Sequence, residues 1–148
     1  MEKHEVVWPW GMTERDPDPA TRPWVFNPRD FLVAVVEDDA EAERSRLALM
    51  ELGFAEEDLR SYSGELVLSD RERFLAQQGP LRRVVGQVTS DAEAVKLFVR
   101  YAEEGRAFLW VHVHERDDAN RAIRGLSSRK VLHFRYYGDT GAEDVRMP

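Results

Sequence analysis

A weak internal repeat constrains the fold of this chain more than any other feature. The run Phe-Leu-Val-Ala-Val-Val at 31–36 returns as Phe-Leu-Trp-Val-His-Val at 108–113, and a helical pattern follows each run. Each copy ends in a tyrosine-bearing segment closed by glycine, at 61–64 and at 135–138. Two strand–helix–strand units in one chain predict an α+β fold. The repeat itself carries no chemistry.

The two units predict a ferredoxin-like sandwich, in which a four-stranded antiparallel sheet carries its helices on one face. A helical insertion over 64–106 is expected to separate the units. A flavodoxin-like parallel sheet is the alternative, and it fits less well. The run Glu37-Asp38-Asp39 stands where a phosphate loop would lie, and carboxylates repel phosphate. The strands are expected at 31–36, 59–63, 108–114 and 131–137.

Helix starts are marked by capping-box spacing at Asp38, Ser69 and Ser90. The tail from Asp139 is expected to be irregular. The predicted helices run from 39 to 52, from Ser69 to about 78, from 91 to 104 and from 117 to 126. The predicted core consists of Val33, Val35, Leu47, Phe98, Leu109, Val111, Val113, Leu132 and Phe134.

Residues 1–29 differ in composition from the rest, which is expected to form a single domain over 30–148. Five prolines in this arm exclude a long helix. Trp8, Trp10 and Trp24 lie among them. Because exposed indole is unfavourable in water, the arm is predicted to pack over the domain, or alternatively to reach a partner subunit or a ligand.

Composition excludes several classes of function. The net charge of −7 disfavours binding to nucleic acid and to anionic membranes. No apolar run is long enough to span a bilayer, and the first residues lack the layout of a signal peptide, so a cytoplasmic location is expected. The chain has no cysteine, which excludes disulfides, thiolate metal sites and cysteine nucleophiles.

Histidines are the best candidates for a functional site. Strand alternation places Trp110, His112 and His114 on the face opposite the aliphatic residues of the third strand, and the same alternation adds His133 and Arg135 from the fourth. Three imidazoles could hold a metal, and the face could pack a haem with an axial histidine. The preferred interpretation is a face covered by a second subunit or by helix 91–104 and the arm, without metal or cofactor. A metal site would need acceptors to orient the imidazoles, and the acids nearest in sequence, Glu115 and Asp117, are expected beyond the end of the strand.

Acidic runs are numerous but fall at helix starts and turns, where carboxylates cap amides and complement the helix dipole. The runs are Glu37-Asp38-Asp39, Glu56-Glu57-Asp58, Glu103-Glu104 and Asp117-Asp118. They are interpreted as capping or solvated groups. No catalytic residue is predicted.

Five segments between about 31 and 140 carry a family resemblance, namely 33–43, 49–54, 57–59, 101–106 and 134–138. They resemble the general stress protein 17M-like family of bacterial heat- and stress-induced proteins. The resemblance implies a stress-response setting and carries over no reaction. The leading hypothesis is a non-enzymatic cytoplasmic stress-associated protein that forms a homodimer or binds another protein. The alternative is a small-molecule, haem or metal binder that uses the histidine face, with oxidoreductase activity as one option.

Overall fold

The structure is a computed structural model that describes residues 30–77, 92–138 and 141–145. The predictions for the arm at 1–29 and for a helix start at Ser90 lie outside these residues. The strands are β1 (Phe31–Val36), β2 (Leu59–Tyr62), β3 (Ala107–His112), β4 (Val131–Gly138) and β5 (Gly141–Val145). The helices are α1 (Asp39–Glu51), α2 (Gly64–Gln77), α3 (Ala92–Glu103) and α4 (Arg116–Leu126).

The strands form one open antiparallel sheet in the order β2-β3-β1-β4-β5. The predicted antiparallel α+β arrangement is confirmed. The sheet has five strands where four were predicted, because residues 141–145, which were expected to be irregular, pair with β4. Pairing satisfies backbone groups along the outer edge of β4 that would otherwise need water.

Helices cover both faces of the sheet, whereas the sequence predicted helices on one face. Every residue of β1 is buried, so its alternate side chains need cover on both sides. On one face α1 and α4 pack over the aliphatic residues of β1 and β3. On the other, α2 and α3 pack over a cluster that contains Phe31, Val33, Val35, Tyr62, Val67, Phe98, Ala102, Phe108, Trp110 and Tyr137.

Two residues of the predicted core are exposed. Leu47 is 47% exposed because the buried stripe of α1 follows Ala42, Ser45 and Leu49. Leu132 is 42% exposed. It lies at the register shift where β4 pairs first with Val36 and then with Val35, so it has no partner position on β1. The other predicted core residues are buried: Val33, Val35, Phe98, Leu109, Val111, Val113 and Phe134.

The observed N-terminal cap agrees with the prediction from the sequence at α1 and differs from it at α2. The Glu41 amide donates to the Asp38 carboxylate at 2.8 Å, as the spacing predicted. Helix α2 begins at Gly64, before the predicted start at Ser69, and the Ser63 hydroxyl accepts from the Leu66 amide. A Cβ at Gly64 would lie 2.6 Å from the Ala102 carbonyl oxygen, so a glycine here allows α2 to start against the end of α3.

The helices within the described ranges lack the length and apolar composition that a bilayer span requires.

Candidate metal centre

Three side chains that ligate metals in proteins meet at the end of β3. The ligand atoms of Asp58, His112 and His114 all lie within 4.8 Å of one another. His112 Nδ1 is 3.2 Å from the Asp58 carboxylate. The two imidazole rings have their centres 4.9 Å apart, in an edge-to-face arrangement. The cluster therefore combines one carboxylate from the residue before β2 with two imidazoles, one from the last residue of β3 and one from two residues beyond it.

Strand pairing brings Asp58 to His112. Leu59 pairs with Val111 and Arg60 with Trp110, so the next position outward sets Asp58 opposite His112. Cross-strand partners point to the same face of a sheet. A short 3₁₀ turn over 56–58, in which the Asp58 amide donates to the Ala55 carbonyl, leads the chain into this position.

The backbone between the two histidines is also fixed. The Val113 amide donates to the Asp30 carbonyl at 2.9 Å, which extends the pairing of β1 with β3 beyond His112. Asp30 itself adopts a left-handed φ of 65°, a conformation that Asp tolerates better than most residues. The side chains of His112 and His114 consequently project to the same side.

The cluster is sheltered on one side and open on the other. The side chains of His112 and Asp58 are 15% and 23% exposed. The Phe31 ring flanks His112 with its centre 5.5 Å away. His114 is exposed, so the open side of the cluster is at this residue.

The separation of these atoms suits a metal of the first transition row. Two ligands bound about 2.0–2.1 Å from a tetrahedral ion lie about 3.3 Å apart. The Asp58–His112 pair is already at 3.2 Å. The ligand atom of His114 lies within 4.8 Å of the other two. Histidine nitrogen and carboxylate oxygen together favour ions such as Zn²⁺, Fe²⁺, Co²⁺ and Ni²⁺.

His133 lies on the same face but at the opposite end of the strands. It pairs in register with Val35, whereas His112 pairs with Phe31. Four residues of extended strand correspond to about 14 Å. The site of three imidazoles considered from the sequence therefore does not form, and Asp58 stands where the third imidazole was expected.

The surroundings of His133 are those of an ion-pair network. Its Nε2 lies 2.8 Å from the Asp144 carboxylate, and the Arg135 guanidinium donates to the same oxygen at 3.0 Å. Partial burial raises the pKa of Asp144, but the hydrogen bonds from His133 and Arg135 outweigh it and hold the pKa below its usual value. Arg135 also donates to the Tyr137 hydroxyl.

Trp110 belongs to the packed part of the face. It is 1% exposed, stacks on Tyr137 and meets Phe31 edge to face. Helices α2 and α3 supply Val67, Phe98 and Ala102 to this cluster. The sequence predicted that this face is covered. Over its apolar part, the covering elements are helices α2 and α3 of the same chain. A flat cofactor would have to displace these helices.

Asp58 is the candidate metal ligand that the sequence analysis did not single out. It stands 54 residues before His112, at the end of an acidic run interpreted as solvated. Its neighbours Glu56 and Glu57 are indeed exposed. The available signal was the position of Asp58 directly before a strand, but using it required knowledge of which strand pairs with which.

Comparisons of the chain with protein-family models, with curated proteins and with solved structures find no significant match.

Proposed function

We propose that this protein binds a divalent transition-metal ion through Asp58, His112 and His114. The observation that carries the proposal is the convergence of one carboxylate and two imidazoles, with ligand atoms within 4.8 Å. Each ligand type is common for Zn²⁺ and Fe²⁺. The proposal develops the alternative in which the histidine face binds a metal, with an aspartate replacing the third histidine.

The composition of the cluster supports metal binding over a simple ion pair. Asp58 faces two imidazoles, both of which can coordinate a metal when neutral. In an ordinary ion pair the carboxylate meets a permanent cation, as Asp144 meets Arg135. A bound cation would compensate the Asp58 charge and occupy a partly sheltered position, where electrostatic attraction is less screened than at the open surface.

A site with three protein ligands leaves at least one coordination position for water or another ligand. Structural zinc sites are usually closed by four protein ligands, whereas sites that exchange ligands keep an open position. The exposed side of this cluster, at His114, is consistent with the second kind. We therefore propose a site that holds an exchangeable ligand.

The test is metal binding by the full chain and by matched histidine variants. We expect wild type to bind about one equivalent of Co²⁺ or Zn²⁺, measured by calorimetry and by metal analysis after gel filtration. The His112→Ala, His114→Ala double variant should lose this binding, and His133→Ala should keep it. Equal binding by all three proteins, or no binding by wild type, would refute the site.

We also propose that β1, α1, β2, β3, α4 and β4 form a ferredoxin-like core to which β5 adds an edge strand. The order β2-β3-β1-β4, antiparallel throughout, supports this description. The stress-associated cytoplasmic role and the homodimer stay predictions from the sequence. Light scattering of the protein with and without Zn²⁺ would test the homodimer.

A further inference from the structure

Resting on the proposed metal function, we infer that the bound metal fastens the edge strand β2 to β3 and so controls the local opening of β2. The ligands belong to two separate parts of the chain. Asp58 directly precedes β2, whereas His112 is the last residue of β3 and His114 follows it by two positions. An ion bound by all three would therefore join the two strands by bonds that are independent of the backbone pairing.

The histidine side of the site lies on firmly held backbone. Strand β3 pairs with β1 on one side and with β2 on the other. All its residues before His112 are buried. The bond from the Val113 amide to the Asp30 carbonyl continues the pairing with β1 past His112. The two imidazoles therefore project from the centre of the sheet, where backbone opening costs the most free energy.

The aspartate side of the site lies on a short element at the end of the sheet. Strand β2 is 4 residues long and comes first in the strand order, so β3 is its neighbour in the described sheet. Only Leu59 and Tyr62 of this strand are buried, one in the core of each face. The turn over 56–58 that leads into it contains no buried residue. Elements with so few buried contacts open locally at a lower cost than the core.

Opening of β2 and metal binding are consequently linked. Opening would carry Asp58 away from the two imidazoles and remove one of the three ligands. A metal that requires all three binds the closed form, so it stabilises β2 against opening. By the reciprocity of linked equilibria, whatever favours the open form weakens metal binding. Strand β5, at the other end of the sheet, pairs with β4 and carries no ligand of this cluster, so its opening should not respond to metal.

The experiment measures amide hydrogen exchange of the full chain without metal and with free Co²⁺ at about 100 times its dissociation constant. In the metal-free protein we expect the amides of β2 that bond to β3 to exchange faster than those of β1, through local opening. Co²⁺ should slow the exchange of these β2 amides by about 100-fold, because a ligand at this excess shifts the opening equilibrium by that factor. The amides of β5, the internal control, should change by less than about twofold.

Two ligand variants separate metal binding from the fastening of β2. His114→Ala keeps Asp58 and His112, which bridge the strands, so Co²⁺ at saturation should still protect β2. Asp58→Ala keeps only the two imidazoles on the β3 side, so β2 should stay unprotected even when the visible spectrum shows bound Co²⁺.

Three results would overturn the inference while the metal site stands. Co²⁺ could bind wild type without slowing exchange in β2, it could slow β2 and β5 equally, or loaded Asp58→Ala could show the protection of wild type. If wild type does not bind Co²⁺, the proposed function fails and the inference fails with it.

Discussion

Two histidine–aspartate pairs lie at opposite ends of one sheet face, and they have different surroundings. At one end His133 lies 2.8 Å from Asp144, and at the other His112 lies 3.2 Å from Asp58. Asp144 also accepts from Arg135, whereas Asp58 shares its cluster with a second imidazole. The two pairs are similar in distance, so the third member of each cluster decides what the pair can do.

A permanent cation beside Asp144 makes the first cluster a closed ion pair. The guanidinium already compensates the carboxylate, and a metal placed there would meet a like charge. An imidazole, by contrast, is a metal ligand when neutral and a cation only when protonated. A His–Asp contact alone therefore does not identify a metal site. The charge of the groups beside the pair distinguishes a metal site from an ion pair.

The prediction with the largest expected effect compares the two aspartates by how much the metal affinity changes when each is replaced. Asp58→Asn should weaken Co²⁺ binding by more than about 100-fold, because loss of a direct ligand exceeds the 10–100-fold cost of losing an outer contact. Asp144→Asn should change the affinity by less than about twofold, since distant sites act independently. Isothermal titration of both variants measures the difference. Equal losses would show that the two clusters do not differ as described.

The second prediction concerns stability in the presence of metal. Free Zn²⁺ at 100 times its dissociation constant should raise the free energy of unfolding by about 2.7 kcal/mol, because the ion binds the folded state. Urea unfolding of wild type and His133→Ala should show this gain. The His112→Ala, His114→Ala double variant should show none. A gain in the double variant would locate the metal elsewhere.

The prediction with the smallest expected effect concerns the pH dependence of the stability that the Asp144 carboxylate contributes. The folded-state pKa of Asp144 is lowered, while an unfolded Asp titrates near about 3.9. The carboxylate therefore stabilises the fold above about pH 4, and this stabilisation is lost as the pH falls through the lower folded-state value. Because the side chain is 57% exposed, we expect at most about 1 kcal/mol.

Unfolding of wild type and Asp144→Asn by urea at pH 6 and at pH 3 checks this prediction. Wild type should be the more stable at pH 6, and the difference between the two should be smaller at pH 3. A difference that grows on acidification would contradict the assigned direction of the pKa shift.

Local pattern was enough to predict the first helix cap and the faces of the central strands. Asp38 was identified as a helix cap from its spacing to Glu41, because capping involves only residues three apart. The side on which Trp110, His112, His133 and Arg135 lie follows from the two-residue period of a strand. Both features depend on contacts within a few residues, and the structure confirms both.

Long-range packing decided the features that the sequence did not predict. Leu132 is exposed because of a register shift between β4 and β1, and no local pattern in β4 encodes it. Residues 141–145 form a fifth strand because they pair with the outer edge of β4. Helix α2 joins α3 over the second face, for which the sequence had left open a second subunit or helix 91–104 with the arm.

The same difference between local pattern and long-range packing applies to the candidate site. The spacing of His112 and His114, two residues apart at the end of one predicted strand, was sufficient to predict that they project to the same side. The proximity of Asp58 to them, and the distance of His133 from them, depend on long-range strand pairing. Asp58 arrives through the antiparallel pairing of β2 with β3, and His133 is carried to the far end because β1 lies between β3 and β4. Pairing between strands distant in sequence depends on how the intervening helices pack, and that information is spread over the whole chain.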